Sequence, residues 1–278
     1  MMLSDAEFTD IAQFIHREFG IHLSDHKKAL VAGRLGKRVR QLGLSSFSSY
    51  LRAVQQDDSG EELTELVNRI TTNHSYFFRE KAHFDFLERE VFPALAQDLR
   101  RRRNNPVRVW SAGCAAGEEV YTLAMLFREY FGPSLEDMDL GLLATDLSLQ
   151  ALAAARAGVY PANRLQEIPA RYTGAYFRRL DADSFEVSDT IRKMVLFKKL
   201  NLMDQDFPFK GAFDIIFCRN VMIYFNEETR RRLVDNLYRY TRPGGYLFIG
   251  HSESLRRESC PFRYIRPAVY HKPLEVRA

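Results

Sequence analysis

The sequence predicts an α/β protein in which a mostly parallel sheet follows an all-α amino-terminal domain. Residues 4 to about 95 carry apolar side chains at helical spacing, without strand-like alternation. After a basic run at 100–103 and a breaker at 104–106, short apolar strands alternate with amphipathic helices. Such strand–helix–strand units indicate parallel strands covered by helices on both faces. We therefore place a domain boundary near residue 105.

Local signals predict each element in turn. Ser4 or Asp5 can cap a first helix, and Asp25 can cap a second. The second helix is expected to turn four apolar side chains toward the core: Val31, Leu35, Val39 and Leu42. The sheet region is predicted to contain strands at 107–113, 140–146 and 213–220, helices at 118–131, 148–157 and 226–240, and a turn at 243–245 before a last strand.

The bulk composition excludes several classes of protein. The net charge of +4 over 278 residues is too small to indicate nucleic acid or a membrane as a partner. The three cysteines form no CxxC pair and the seven histidines show no ligand spacing, so we predict neither a disulfide scaffold nor a metal site. The amino terminus lacks secretory-signal features, and no apolar run approaches the roughly 18 residues of a membrane helix. We expect a cytoplasmic protein without membrane insertion.

A glycine-containing loop, "SAGCAAGEE" at 111–119, follows the first predicted strand and opens a helix. Gly113 and Gly117 stand where the backbone must turn tightly and approach a ligand closely, as in nucleotide-binding loops. An ordinary strand-to-helix turn explains the loop about as well. Asp146 ends the next strand, where a carboxylate can accept both hydroxyls of a ribose. Together the loop and the carboxylate favour a nucleoside over a simple helix cap at Asp146.

The charge at this loop indicates which nucleoside is bound. The helix begins with Glu118 and Glu119, and two carboxylates would repel the pyrophosphate of a dinucleotide. A cofactor with hydroxyls, an ammonium and a sulfonium tolerates them. S-adenosylmethionine therefore fits better than NAD or ATP, and no GxxxxGK[ST] motif for phosphoryl transfer is present.

Polar side chains also follow the central strand, in "FCRNVMIYF" at 217–225. Arg219 and Asn220 emerge from an apolar strand at the predicted ligand-binding edge, and Tyr224 lies just beyond. For any one of these residues, a turn cap or a core position is an equally good explanation.

The segment "TTNHSYFFRE" at 71–80 mixes small polar groups, aromatics and an Arg–Glu pair without a clean helical or strand period. Asn73, Ser75 and Arg79 could face a ligand, with Arg79 gripping a carboxylate while the phenylalanines exclude water. We predict a lid or side wall of the cofactor pocket. Taken alone, the segment would be a connector between helices.

These motifs resemble those of the chemotaxis receptor methyltransferase (CheR) family. "TTNHSYFFRE" is similar to its TTNxTxFFRE element, "WSAGCAAGEEVYTLA" to its WSAxCxxGEEPYSLA loop, "ATDLS" to its ribose-binding strand end, and "FCRNVMIYF" and "GYLFIGHSE" to its closing strands. They occur in order over residues 5 to 272. Two positions depart from the pattern. Ser75 replaces the usual Thr but keeps the hydroxyl, and Val120 replaces a Pro that is favourable but not required.

The resemblance implies a Rossmann-like S-adenosylmethionine-dependent methyltransferase domain with a small antiparallel β-subdomain, preceded by the all-α domain. We expect the helical domain at 1–80, a connecting helix or linker at 81–105, the methyltransferase domain at 106–278 and the β-subdomain at about 174–198. The family methylates glutamate side chains on the cytoplasmic helices of methyl-accepting chemoreceptors and leaves S-adenosylhomocysteine as product.

By position in the matching motifs, the resemblance also implies a set of cofactor-binding residues. They are Asn73, Ser75, Arg79, Glu119, Asp146, Asn201, Leu202, Arg219 and Asn220. Gly113 joins them through the glycine loop. A glutamate side chain with a pKa of about 4.3 is already ionised at neutral pH, so its attack on a sulfonium methyl requires no general base. We assign Arg79 to the cofactor carboxylate first and to substrate orientation second, and Tyr224 to substrate positioning.

A basic stretch supplies a candidate partner surface. Between His26 and Arg40 there are six Lys or Arg and no acid, and helical spacing aligns Lys27, Arg34 and Arg38, with Lys37 nearby. A solvated face is the usual explanation of such a run, and nucleic acid is another. Given the resemblance, we expect docking onto acidic receptor helices.

Family members that bind a short peptide at the receptor tail have a longer, glycine-containing hairpin in the β-subdomain. The corresponding stretch here, "FRRLDADSFEVSDTIRKMV", is short and contains no glycine. We therefore expect an enzyme that does not depend on a receptor-tail pentapeptide.

Three alternatives belong to other classes. "GHSES" at 250–254 suggests a serine hydrolase, but Ser254 stands where that motif requires Gly. The basic helix would suit a methyltransferase of nucleic acid or small molecules, although an Asn/Asp-Pro-Pro-Tyr element is absent. A non-catalytic scaffold that binds S-adenosylmethionine as a sensor is the third.

Overall fold

The computed structural model describes residues 1–71, 75–101, 106–256 and 260–274. Its first part contains four helices: α1 Asp5–Phe19, α2 Lys28–Gln41, α3 Phe47–Gln56 and α4 Glu61–Ile70. The cap predicted at Ser4 is confirmed, because its side chain and that of Glu7 form a reciprocal capping box. The cap predicted at Asp25 is wrong. A single 3₁₀ turn, Asp25–Lys27, precedes α2 and makes no side-chain cap.

The apolar spacing of α2 places most of the predicted residues in the core. Val31, Leu35 and Val39 are fully buried, whereas Leu42 follows the last turn of the helix and is 39% exposed. The four helices and one face of the following sheet share a hydrophobic cluster that includes Trp110. The helical part is thereby fixed against the sheet by apolar burial.

A long helical connection leads into the sheet. It runs through α5 Ala82–Phe86, a π-helical turn Leu87–Val91 and α6 Phe92–Arg101. The elements that follow are β1 Val107–Ala112, α7 Glu118–Phe131, β2 Leu140–Asp146, α8 Leu149–Ala157, β3 Val159–Pro161, α9 Ala170–Tyr176, β4 Phe177–Arg179, β5 Ser184–Val187, α10 Asp189–Arg192, β6 Val195–Lys199, β7 Phe213–Cys218, α11 Glu227–Tyr240, β8 Thr241–Ile249, β9 Arg263–Arg266 and β10 Val269–His271.

The main sheet has seven strands in the order β6-β2-β1-β7-β8-β10-β9. The first five run parallel, and β10 is antiparallel to both of its neighbours. The chain order reverses between β1 and β7, so a crevice opens there at the carboxyl ends of the strands. The α/β fold with a mostly parallel sheet is therefore confirmed.

Two details of the sheet differ from the prediction. The turn expected at 243–245 lies inside β8, where the register against β7 shifts and Gly244 adopts a φ of +81°. The small antiparallel sheet, β3-β5-β4, spans 159–187 rather than 174–198. Its outer strand β3 follows the left-handed turn at Gly158, while β6 pairs with β2 in the main sheet.

Within the described residues, no helix combines the length and the apolarity needed to cross a bilayer.

Candidate functional site

A cavity of about 280 Å³ lies at the carboxyl ends of β1, β2 and β7. It is lined by ten of the residues predicted to form the site: Ser75, Arg79, Gly113, Glu119, Asp146, Asn201, Leu202, Arg219, Asn220 and Tyr224. Asn73 lies outside the described residues. Two unlike walls face each other. The sheet-edge wall consists of Gly113, Glu119, Asp146, Arg219 and Asn220, and the crossing segment consists of residues 75–80.

The loop after β1 requires glycine at position 113, and part of the reason is a packing contact that the sequence alone did not indicate. Gly113 has a φ of +80°, and a Cβ atom there would come within 2.5 Å of a methyl carbon of Val221. The close approach is therefore to the loop after β7 as well as to the cavity. The backbone amides of Gly113 and Cys114 donate to the carbonyl of Thr145, at 2.8 and 2.9 Å, which ties the loop to β2.

Asp146 fixes this loop from the end of β2. Its two carboxylate oxygens accept hydrogen bonds from the backbone amides of Ala115 and Ser148, each at 2.9 Å. Burial raises the pKa of Asp146, and the amide hydrogen bonds partly oppose that effect. A carboxylate has about four acceptor sites, so acceptor capacity remains for a hydroxyl of a bound ligand.

Arg219 joins the two walls through a buried network. Its side chain is 2% exposed and forms ion pairs with Glu119, at 2.9 Å, and Glu80, at 3.2 Å. It also donates to the carbonyl of Arg79. The other carboxylate oxygen of Glu119 accepts from the Ser111 hydroxyl at 2.7 Å. Arg219 and Glu119 thus line the cavity while their charges compensate one another.

Asn220 occupies a strained position at the end of β7, with a φ of +58°. Glu253 holds the surrounding turn, since its carboxylate accepts the amides of Asn220, Gly250 and Ile223 at 3.0, 2.6 and 3.2 Å. Burial raises the pKa of Glu253, against the effect of these hydrogen bonds. Sequence reasoning missed this anchor, although Glu253 lies within "GHSES". Within this motif, Glu253 makes the hydrogen bonds that hold the turn, whereas Ser252 is exposed.

The crossing segment contains two bulky residues with left-handed backbone, Phe78 at φ +56° and Glu80 at φ +58°. Such positions cost about 1–3 kcal/mol each and persist only where the surroundings enforce them. The amide of Phe78 donates to the hydroxyl of Thr122 at 3.2 Å. The guanidinium of Arg79 lies 5.7 Å from the ring of Tyr76. Residues 75–80 are therefore held in place beside the cavity, which Ser75, Tyr76 and Arg79 line.

The helical part closes the third side. Phe19 and Ile21 line the cavity, and the amide of His22 donates to the carbonyl of Tyr224 at 2.7 Å. The amide side chain of Asn201 donates to the carbonyl of Glu18 at 2.9 Å, so this predicted cofactor residue also anchors α1. Leu202 is 9% exposed and contributes apolar surface.

The predicted partner-binding residues on α2 and on the 3₁₀ turn before it divide into two groups. Arg34 donates to the carbonyl of Ile70 at 2.7 Å and so caps the end of α4. Arg38 forms an ion pair with Glu62, which raises the pKa of the arginine. Both therefore have a structural role that the sequence did not reveal. Lys37 is exposed and Lys27 is half-buried.

One histidine-containing cluster borders the network. Possible ligand atoms of Glu80, His83 and His251 lie within 4.8 Å of one another. His83 is buried, and burial together with the charge of Arg219 lowers its pKa to about 3. The expectation of no metal stays a prediction.

The cavity suits a zwitterionic nucleoside ligand. Asp146 offers acceptor sites, Phe19 and Leu202 offer apolar surface, and the arginine side chain of Arg79 offers a cation. The start of α7, where a phosphate would sit, carries Glu118 and Glu119 instead. These residues fit S-adenosylmethionine, whose charges are an ammonium, a sulfonium and a carboxylate.

Comparison with known proteins gives consistent matches over the chain. The family model described as "CheR methyltransferase, SAM binding domain" matches residues 73–270, and the one described as "CheR methyltransferase, all-alpha domain" matches residues 6–71. The chain is 42% identical to the chemotaxis protein methyltransferase of Borreliella burgdorferi over 266 residues, covering 96% of this chain and 94% of that protein. It is 37% identical to that of Escherichia coli over 257 residues, covering 91% and 86%.

Similarity to solved structures is weaker. PKMT2 from Rickettsia typhi in complex with AdoHcy aligns with a TM-score of 0.33 and 19% identity, covering 52% of this chain and 22% of that one. The glycopeptide N-methyltransferase MtfA complexed with S-adenosylmethionine aligns with a TM-score of 0.32 and 18% identity, covering 56% and 48%.

Proposed function

Because the chain belongs to the CheR family of S-adenosylmethionine-dependent chemotaxis methyltransferases, we propose that its substrates are glutamate side chains of methyl-accepting chemoreceptors. The products are glutamate methyl esters and S-adenosylhomocysteine, and the enzyme works in the cytoplasm, where the receptor helices are. One observation carries the proposal: the cavity at the sheet edge is lined both by Arg79 of the crossing segment and by the carboxylate of Asp146.

Different residues of the cavity bind different groups of the cofactor. Asp146 accepts the ribose hydroxyls with the acceptor sites left over from its two amide bonds. Arg79 holds the cofactor carboxylate, and Ser75 and Asn220 contribute polar groups beside it. Phe19 and Leu202 enclose apolar surface on the side of the helical part. Bound S-adenosylmethionine supplies an electrophilic methyl group on a sulfonium.

The reaction then requires alignment more than acid–base chemistry. The incoming glutamate is ionised at neutral pH, since its pKa is about 4.3, so this chain need not remove a proton. Holding two reactants in line can contribute roughly 7–11 kcal/mol. Tyr224 lines the cavity beside Ile223, which is 48% exposed. We assign Tyr224 to positioning the substrate at this opening, and Arg79 to orienting it once the cofactor is bound.

Basic residues on α2 and just before it supply a receptor-docking surface. Lys27 and Lys37 are the candidates, because Arg34 and Arg38 already bind α4. Reversal of Arg34 or Arg38 would also disturb the α4 cap or the Glu62 ion pair. Lys27→Glu combined with Lys37→Glu should instead lower kcat/KM for receptor about threefold to tenfold, because charge complementarity acts mainly on association. Lys198→Glu, an exposed reversal on β6, is the control. Unchanged receptor methylation in the double variant would remove α2 from the docking surface.

We further propose that the enzyme acts without a receptor-tail pentapeptide. The β4–β5 hairpin is closed by Asp181, which accepts the amides of Asp183 and Ser184 at 2.8 Å each and leaves a short, tight loop. Calorimetric titration of the pentapeptide should give no heat of binding. Saturable binding that also raises methylation of tailed receptors would contradict this part of the proposal.

The substrate class is tested in one experiment. The enzyme is incubated with methyl-labelled cofactor and separate samples of chemoreceptor cytoplasmic fragments, RNA and small carboxylic acids. Base-labile label on the receptor fragment alone is the expected result. Label on RNA or on a small acid would favour a methyltransferase of another substrate class. Cofactor binding without any transfer would favour a non-catalytic scaffold.

A further inference from the structure

We propose that the small β-subdomain holds the crossing segment in its cofactor-binding geometry, and that Arg164 is the positioning residue through which it does so. This inference rests on the proposed function, because it concerns the same cofactor cavity. It gives the subdomain a task within the enzyme itself, separate from any peptide bound by its hairpin.

The need for such a support follows from the backbone of the segment. Phe78 and Glu80 both have left-handed φ values, which are unfavourable for side chains of their size. Arg219 holds the carboxyl end of the segment at the carbonyl of Arg79, and Thr122 holds its middle at the amide of Phe78. The amino end, which carries Ser75 into the cavity, needs a third attachment.

Arg164 provides that attachment from the subdomain. It lies in the 3₁₀ turn Ala162–Leu165 directly after β3, and its guanidinium donates to the carbonyl of Ser75. The same guanidinium nitrogen is 3.8 Å from a carboxylate oxygen of Glu118, whose side chain is 3% exposed. The buried carboxylate therefore orients the arginine, and the arginine orients the backbone that carries Ser75 and leads to Arg79.

Aromatic packing adds a second connection between the same two parts. The ring of Phe77 is fully buried and meets Tyr160 of β3 at a centroid distance of 4.9 Å and Phe177 of β4 at 5.3 Å, both edge to face. Phe78 meets Tyr172 of α9 at 4.9 Å. The subdomain thus fills the side of the segment that faces away from the cavity. A shift of either strand would move the side chains of Ser75 and Arg79.

The test compares Arg164→Met with wild type in the full-length chain, using S-adenosylhomocysteine as the probe. Calorimetry should give a Kd raised about tenfold, the scale of one partly exposed charge-assisted hydrogen bond. The KM for S-adenosylmethionine should rise in parallel, and kcat with a receptor fragment should fall by a smaller factor than KM rises, because Arg79 acts on the cofactor first and on the substrate second. Arg164→Lys keeps a donor for the Ser75 carbonyl and should recover most of the affinity.

Two further variants separate positioning from general destabilisation. Arg178→Met removes an exposed ion pair with Glu186 in the same subdomain and should leave Kd and KM unchanged. Phe177→Leu withdraws the ring beneath Phe77 and should raise Kd as Arg164→Met does, which keeps the inference testable if one variant fails to fold.

A Kd for Arg164→Met and Phe177→Leu that equals the wild-type value would overturn the inference. An increase that Arg178→Met reproduces, or that follows Tm rather than the substitution, would overturn it as well. Absence of binding by the wild-type enzyme would instead contradict the proposed function, so the two failures are distinguishable.

Discussion

The sheet-edge wall and the crossing segment bound the same cavity, but they are held by different means. At the sheet edge, strand ends place the side chains, and backbone amides satisfy Asp146 and Glu253 within a few residues of the strands. The crossing segment has neither helix nor strand between 75 and 80. Its geometry depends on Arg219, Thr122 and Arg164, which come from three separate parts of the chain.

This difference indicates how each wall should respond to substitution. A change at the sheet edge removes a direct contact and should act on the bound cofactor locally. A change in the supports of the crossing segment should act at a distance, by releasing a strained backbone. Arg219 lies in the sheet-edge wall and binds the crossing segment, so its loss should have the largest effect of all.

Arg219→Met should lower the free energy of unfolding by about 3–5 kcal/mol, because it leaves the buried carboxylates of Glu80 and Glu119 without their cation. Urea denaturation followed by circular dichroism measures the change. Arg108→Met, which removes an exposed pair with Asp139, should leave the same quantity nearly unchanged. Equal effects of the two substitutions would mean that Arg219 does not join the walls.

Asp146→Asn tests the sheet-edge wall alone. It should raise the Kd for S-adenosylhomocysteine about 100-fold, because an amide nitrogen would face the donating amides of Ala115 or Ser148 and the ribose would lose its anionic acceptor. Asp139→Asn, placed just before the same strand, is the matched control and should bind normally. A Kd within about threefold of wild type would remove Asp146 from the ribose site.

The stability of the folded chain should also depend on pH through His83, whose ring lies 3.5 Å from the carboxylate of Glu80 in the crossing segment. Burial and Arg219 lower its folded pKa to about 3, below the unfolded value of about 6.5. The unfolded chain therefore binds the extra proton first, and stability is lost as pH falls from about 6.5 toward 3.

Between pH 7 and 5 this loss amounts to about 2 kcal/mol from His83. The difference in unfolding free energy between wild type and His83→Gln, measured by urea titration at each pH, should shrink by that amount at pH 5. A His83→Gln variant with the wild-type pH slope would show that His83 does not titrate in this range.

Ser75→Ala should have the smallest effect of the four. Loss of one hydroxyl facing the cavity should raise the Kd for S-adenosylhomocysteine about threefold, the scale of one neutral hydrogen bond. Ser75→Thr keeps the hydroxyl and should bind like wild type. A larger loss in Ser75→Thr than in Ser75→Ala would indicate that the crossing segment is limited by space rather than by polar contact.

Much of the sheet-edge wall could be predicted from sequence, because a polar residue after a buried strand lies at a known edge of a parallel sheet. Asp146 and Asn220 followed from that rule, and both line the cavity. The support that Arg164 gives to the crossing segment could not be predicted. Arg164 and Ser75 are far apart in the chain, and only the three-dimensional path of β3 brings them together.

Charged residues were the least predictable. The spacing of basic residues on α2 is the same whether Arg34 and Arg38 face solvent or bind α4, as they do here. Periodicity does not identify what lies opposite a helix. The small sheet was misplaced for a related reason. A three-residue strand such as β3 carries too little pattern to be recognised, and its pairing with β5 is non-local.

A crystal structure of the enzyme with S-adenosylhomocysteine is the decisive experiment, because it locates the ligand relative to both walls at once. We expect the ribose hydroxyls on the carboxylate of Asp146 and the ligand carboxylate at Arg79, with the crossing segment in place. A ligand bound anywhere other than between Asp146 and Arg79 would contradict it.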